Sequence, residues 1–158
     1  QRQMCIRDRH TISEFFYRTQ HIQQLGGYQI YPAGYYADDA SILLFCNNNG
    51  IASTEESLIV YRKSENNISS SSCWNVEKSK AALKYYQWII DEFPMKQQDE
   101  QIIQQRLDFD LYTYFSAALN IHQSIQILNC IPVNIWNWKK KLLCLYKFIL
   151  NSYAKQIK

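Results

Sequence analysis

Residues 76–93 read VEKSKAALKYYQWIIDEF, and their spacing sets the character of most of the chain. Ala82, Leu83, Tyr86, Ile89, Ile90 and Phe93 recur at the three- and four-residue intervals of one helix face, and Pro94 ends the run. Moving toward the C-terminus, Leu111, Tyr114, Phe115, Ala118, Ile121, Ile125 and Leu128 hold the same period, which predicts one helix of about five turns. Trp138, Leu142, Leu145, Tyr146, Ile149 and Tyr153 mark a last helix. Residues 111–138 carry no Asp, Glu, Lys or Arg, but Asn120, His122, Gln123, Ser124, Gln126 and Asn129 interrupt them too often for a membrane span.

Moving the other way, the pattern changes. TISEFFYR (11–18) alternates as the end of a strand, and TQHIQQLGG (19–27) reads as a short helix closed by Gly26 in the left-handed conformation. YQIYPAGYY (28–36) is a loop punctuated by Pro32 and Gly34. ADDASILLFCNNNG (37–50) is a helix with Asp38 and Asp39 in its first turn, where the macrodipole favours acids. IASTEESLIVYRK (51–63) supplies one or two short strands, followed by the Ser/Asn loop SENNISSSS (64–72). The expected architecture is therefore α/β: a mixed portion to about residue 70, then a helical extension of similar size.

The 158 residues are 47% hydrophobic with only 4 Gly and 3 Pro, which excludes a disordered or low-complexity chain. Net charge is +3, of which Arg2, Arg7, Asp8 and Arg9 contribute +2, and no basic stripe interleaved with aromatics marks a nucleic-acid surface. The five cysteines form no C-x-x-C pair and have no His at ligand spacing, so reduced thiols in a cytosolic protein are expected. The opening QRQMCIRDRH lacks the apolar core, about 7 to 15 residues, of a secretory signal. Back-translation of Gln1–Arg9 resembles the mosaic-end adapter of transposon-based DNA library preparation. Residues 1–9 are accordingly set aside, and the protein proper is expected to begin near His10 with its upstream part missing.

Chemistry is best carried by GGYQIYPAGYYADDASILLF (26–45). Adjacent helical residues point about 100° apart, so Asp38 and Asp39 cannot share a proton as a paired acid and base do. One of them at most faces a given pocket; the other role open to the pair is helix capping. Tyr31, Tyr35 and Tyr36 either stack on sugar rings or pack the loop. His122 beside the helical stripe reads as a packing residue, and Ser69–Ser72 have no partner His or nucleophile elbow. The segment IWNWKKKLLCLYKFILNSYAKQIK (135–158), with Lys139, Lys140, Lys141 and Lys147 beside Trp136 and Trp138, suits either packing on the preceding helices or an interfacial helix at an anionic membrane.

LGGYQIYPAGYYADDASILL (25–44) followed by GIASTEESLIVYRKSENNIS (50–69) resembles the C-terminal half of the catalytic domain of family 2 glycosyltransferases, particularly bacterial surface-polysaccharide enzymes. The resemblance spans residues 10–75. It implies a GT-A, Rossmann-like α/β domain on the acceptor side, with 76–158 as a helical extension. It implies an inverting transferase that moves a sugar from a nucleotide-sugar donor to a saccharide or lipid-linked acceptor, without nucleic acid. Asp39 falls on the family's general base, Asp38 where relatives often have Glu, and Gly26, Gly27 and Tyr28 on its turn. Tyr31, Tyr35 and Tyr36 fall on the acceptor loop, and Arg62 on a basic residue near the donor phosphates. A divalent cation, Mg or Mn, is expected with ligands mostly outside this chain, because the family's Asp-x-Asp motif lies upstream. No His stands between His21 and His122, unlike the metal-dependent relatives that place a His ligand there. The chain alone is expected to be inactive, and the location cytoplasmic, at the inner face of the plasma membrane. The alternative is a non-catalytic helical module that binds a partner or a membrane surface.

Overall fold

Helix after helix follows along the chain. The computed structural model describes residues 16–46, 52 and 71–156. In these lie α1 (Thr19–Gln24), α2 (Ala37–Cys46), α3 (Asn75–Glu92), α4 (Gln97–Ser116), α5 (Ile121–Cys130) and α6 (Trp138–Gln156), with 3-10 turns at Pro32–Gly34 and Ser72–Trp74. Among the described residues there is no strand and no sheet, so the α/β, Rossmann-like expectation is corrected to a helical architecture. Phe16–Arg18, the expected strand end, lead into α1 without joining a ladder. The strands expected over 51–63 lie outside the described residues, apart from Ala52, which is in no regular element.

The chain divides into two compact units, Gln1–Ile30 with Tyr36–Ser64, and Tyr31–Tyr35 with Glu65–Lys158. In the first, α1 stops in a Schellman motif: the Gly27 amide donates to Ile22 O at 2.9 Å and the Gly26 amide to Gln23 O at 3.2 Å. Gly26 has φ 81°, which a side chain would strain. α2 buries Ala40, Ser41, Ile42 and Phe45. Phe45 is the hub of this unit, with Tyr17 and Tyr28 edge-on at centroid distances of 5.0 and 5.4 Å, and His21 Nε2 bonded to its carbonyl at 2.9 Å.

The second unit is built on α3. Small residues Ser79, Ala81 and Ala82 on its buried face let α4 and α5 approach closely, while Tyr85, Tyr86 and Ile89 fill the next turns. Leu107, Leu111 and Phe115 of α4, with Ile127 and Leu128 of α5, complete the core. Tyr86 donates to Asp110 at 2.6 Å, and Arg106 lies 3.4 Å from the same carboxylate. Burial, then that carboxylate, push the Tyr86 hydroxyl far above the ordinary tyrosine range. A buried Trp136 joins α4 to α6: its indole donates to Asp108 and its ring stands 6.4 Å from that of Phe115.

One long helix through residues 111–128 was expected; two form, α4 and α5, broken at Ala117–Asn120. Thr113 and Ser116 turn their hydroxyls onto the carbonyls of Phe109 and Tyr112, a back-bonding that loosens the last turn of a helix. Asn75 then takes over the ending, donating to Tyr114 O at 3.0 Å and Ala117 O at 3.1 Å. Asn120 restarts the helix by accepting from the Gln123 amide at 2.9 Å.

Candidate functional site

The acidic pair sits at the start of α2. Tyr36, whose φ is 67°, receives the first helical hydrogen bond on its carbonyl from Ala40 N at 3.0 Å. Asp38 and Asp39 are therefore second and third in the helix, not at its cap. Asp38 Oδ1 accepts from the Asp39 amide at 3.1 Å, one of the amides that no helical carbonyl can reach. Asp38 is half-buried, whereas Asp39 is exposed. Ser41, one turn further on, donates to Ala37 O and accepts from the Gln29 amide at 3.3 Å, which fixes residue 29 against the helix start. Tyr28 is half exposed and holds its edge against Phe45.

Two of the expected loop tyrosines have a role inside the helical unit. Tyr31 is 5% exposed, edge-on to Tyr85 at 6.1 Å, with the Lys84 ammonium 5.1 Å from its ring centre. Tyr35 stands edge-on to Tyr114 at 5.9 Å with Lys78 Nζ at 5.3 Å. Lys78 is itself buried, donates to Ser71 O at 2.9 Å, and has its basicity lowered by burial. Ala33 and Tyr36 both take positive φ, at 53° and 67°, a strain of about 1–3 kcal/mol each for residues with a Cβ. Thus Tyr28, Tyr36, Asp38 and Asp39 belong to the first unit and Tyr31 and Tyr35 to the second. Arg62 lies outside the described residues.

The helical unit holds surfaces that sequence reasoning passed over. A cleft of about 490 Å³ is lined by Glu77, Lys80, His122, Gln126 and Cys130, with exposed Cys73 at its edge. His122 is exposed here and not a packing residue. Burial raises the Cys130 thiol above its ordinary value, so the thiolate a nucleophile needs is disfavoured. A second, more apolar groove of about 310 Å³ runs between Ile125 and Leu128 of α5 and Trp138, Leu142 and Leu145 of α6. The i, i+4 spacing of Trp138 and Leu142 was legible as a stripe; that it faces outward depends on which side of α6 packs, and this is a tertiary fact.

Among the described residues no three His, Cys, Asp or Glu side chains gather as metal ligands. No residue here is therefore assigned to hold the divalent cation that the resemblance implies. No helix among them is long and apolar enough to cross a membrane. Comparison with family models, with curated proteins and with solved structures finds no match.

Proposed function

We infer that the chain supplies the acceptor-side carboxylate of an inverting sugar transfer from a nucleotide-sugar donor. One observation supports the reading: Asp38 and Asp39 both stand in the first turn of α2, Asp38 with its carboxylate on a backbone amide of the helix and Asp39 exposed to solvent. An acceptor hydroxyl must lose its proton as its oxygen attacks the anomeric carbon opposite the departing nucleotide, and a carboxylate on a rigid helix start can take it. Tyr28 and Tyr36, near this helix in sequence, offer aromatic faces to a sugar ring. The Gly26–Gly27 turn, committed to positive φ, fixes the chain that leads to Tyr28.

Asp39→Asn, made in the protein that carries this chain, should lower transfer about 10²- to 10⁴-fold, the usual contribution of a general base, while the nucleotide sugar still binds. Asp38→Asn should cost far less turnover, because its carboxylate stabilises the helix start. Initial rates and thermal melts of both variants decide it. Near wild-type turnover for Asp39→Asn removes the base assignment.

A second reading, a non-catalytic helical binding module, draws on the helical architecture of the second unit and the apolar surface it leaves exposed. Absence of transfer by the protein that carries this chain, across a panel of nucleotide sugars, would favour it.

A further inference from the structure

Helix α6 is apolar on two sides. The side that packs on the second unit carries buried Cys144, with Phe148 edge-on to Phe115 at 5.9 Å. On the other side Trp138, Leu142, Leu143, Tyr146, Ile149 and Leu150 are exposed, at 61, 55, 53, 60, 37 and 48%. At 100° per residue these six fall within one arc of about 140°. The arc is continuous with the apolar groove at Ile125 and Leu128, so the exposed surface extends from α6 onto α5. A contiguous surface of this kind on a folded protein marks an interaction site.

Charge identifies the occupant. Residues 111–158 contain six lysines and no Asp, Glu or Arg, so α5, α6 and their connection form a purely cationic stretch. Two of those lysines are held by the fold: Lys140 pairs with Asp108 beneath the Trp136 ring, and Lys141 donates to the carbonyls of Leu128 and Ile131. Lys139 and Lys147 are exposed, Lys139 within the apolar arc at its N-terminal end and Lys147 along its edge. An exposed apolar arc holding Trp and Tyr, with Lys139 and Lys147 at its margin and no Asp or Glu on α5 or α6, complements an anionic lipid surface. The helix is too polar to cross such a membrane and suited to lie in its plane.

We propose that the exposed face of α6, extended by Ile125 of α5, docks on the surface of an anionic membrane, with the helix lying parallel to it. The docking is independent of the transfer reading. It would hold the molecule where lipid-linked molecules are found.

The test is co-sedimentation of the full chain with vesicles of phosphatidylcholine alone and of phosphatidylcholine mixed with phosphatidylglycerol. Binding to the mixed vesicles, weakened by salt, is expected, with little to phosphatidylcholine alone. Leu142→Glu should weaken it at least about tenfold, and Lys139→Gln and Lys147→Gln about fivefold each. Ile102→Glu, on an exposed apolar residue of α4, should leave it unchanged. All four sites are exposed, and circular dichroism checks that each variant keeps its helices. Equal pelleting with both vesicle types, full pelleting of Leu142→Glu, or no pelleting at all overturns the proposal. A dimer in sedimentation velocity that Leu142→Glu splits, without vesicle binding, would make this face a contact between copies instead.

Discussion

The two units differ in how far along the chain their side-chain ties reach. In the first, His21 reaches 24 residues along the chain to the Phe45 carbonyl near the end of α2, and the Gln29 amide reaches 12 residues to Ser41, beside an aromatic cluster on Phe45. In the second, Asn75, Gln123 and Lys141 cross from one element to the end of another. Asn75 closes α4, Gln123 donates to the carbonyls of Ser72 and Cys73, and Lys141 closes α5. Each of these ties, from 39 to 51 residues away for Asn75 and Gln123 and 13 for Lys141, satisfies helix-end or turn groups that would otherwise lack a partner.

The largest expected effect is at Trp136. Trp136→Ala should destabilise the second unit by about 3–5 kcal/mol, since it empties a fully buried site and removes a partner of Asp108. Denaturant midpoints measure it, and a loss below about 1 kcal/mol would show that the α4–α6 junction is not packed as described.

Next comes a direct contrast between the ties. Asn75→Ala leaves one buried and one part-buried helix-end carbonyl without their donor and should cost about 1–3 kcal/mol. His21→Ala uncovers a single, part-buried carbonyl and should cost about 0.5–1.5 kcal/mol. Equal losses in the two variants would erase the difference between the units.

The smallest effect should be a gain. The Tyr31 hydroxyl is buried without a hydrogen-bond partner among the described residues, so Tyr31→Phe is expected to stabilise by about 1 kcal/mol. Burial also raises its pKa above the ordinary 10.0. A tyrosine that stays protonated when folded but ionises when unfolded loses stability as pH rises above about 10, so the advantage of Tyr31→Phe should widen there. Melts at neutral pH and above pH 10 check both signs; a destabilised Phe variant would mean that the hydroxyl is satisfied.

The helices were legible wherever one apolar stripe faced one core. Residues 76–93 and α2 are found almost where the spacing puts them, and the left-handed Gly26 could be read from its place after a short helix. The break at Ala117–Asn120 was not legible, because apolar period continues through it and the decisive donor, Asn75, lies 42 residues away from Ala117. The α/β class rested on alternation in TISEFFYR, on the strands expected over 51–63 and on the family resemblance. Phe16–Arg18 join no ladder among the described residues, and short alternation makes a strand only where a neighbour pairs with it. At the acidic pair, sequence separated the directions of Asp38 and Asp39 but did not show that Tyr36 would receive the first helical bond. Nor did a Tyr-rich loop reveal that Tyr31 and Tyr35 pack against α3 and α4.

A cylinder coated with oil on opposite sides has two nearly equivalent ways to lie down. α6 is such a cylinder, and hydrophobic burial alone would leave its rotation about its own axis ambiguous. Lys140 and Lys141 act as an index pin: only one rotation brings the first to Asp108 and the second to the carbonyls ending α5. Their contribution is then to uniqueness more than to depth of the energy minimum, as a buried polar residue fixes register in paired helices. Replacing the pair by leucines would remove both polar contacts and leave apolar burial alone to choose the rotation.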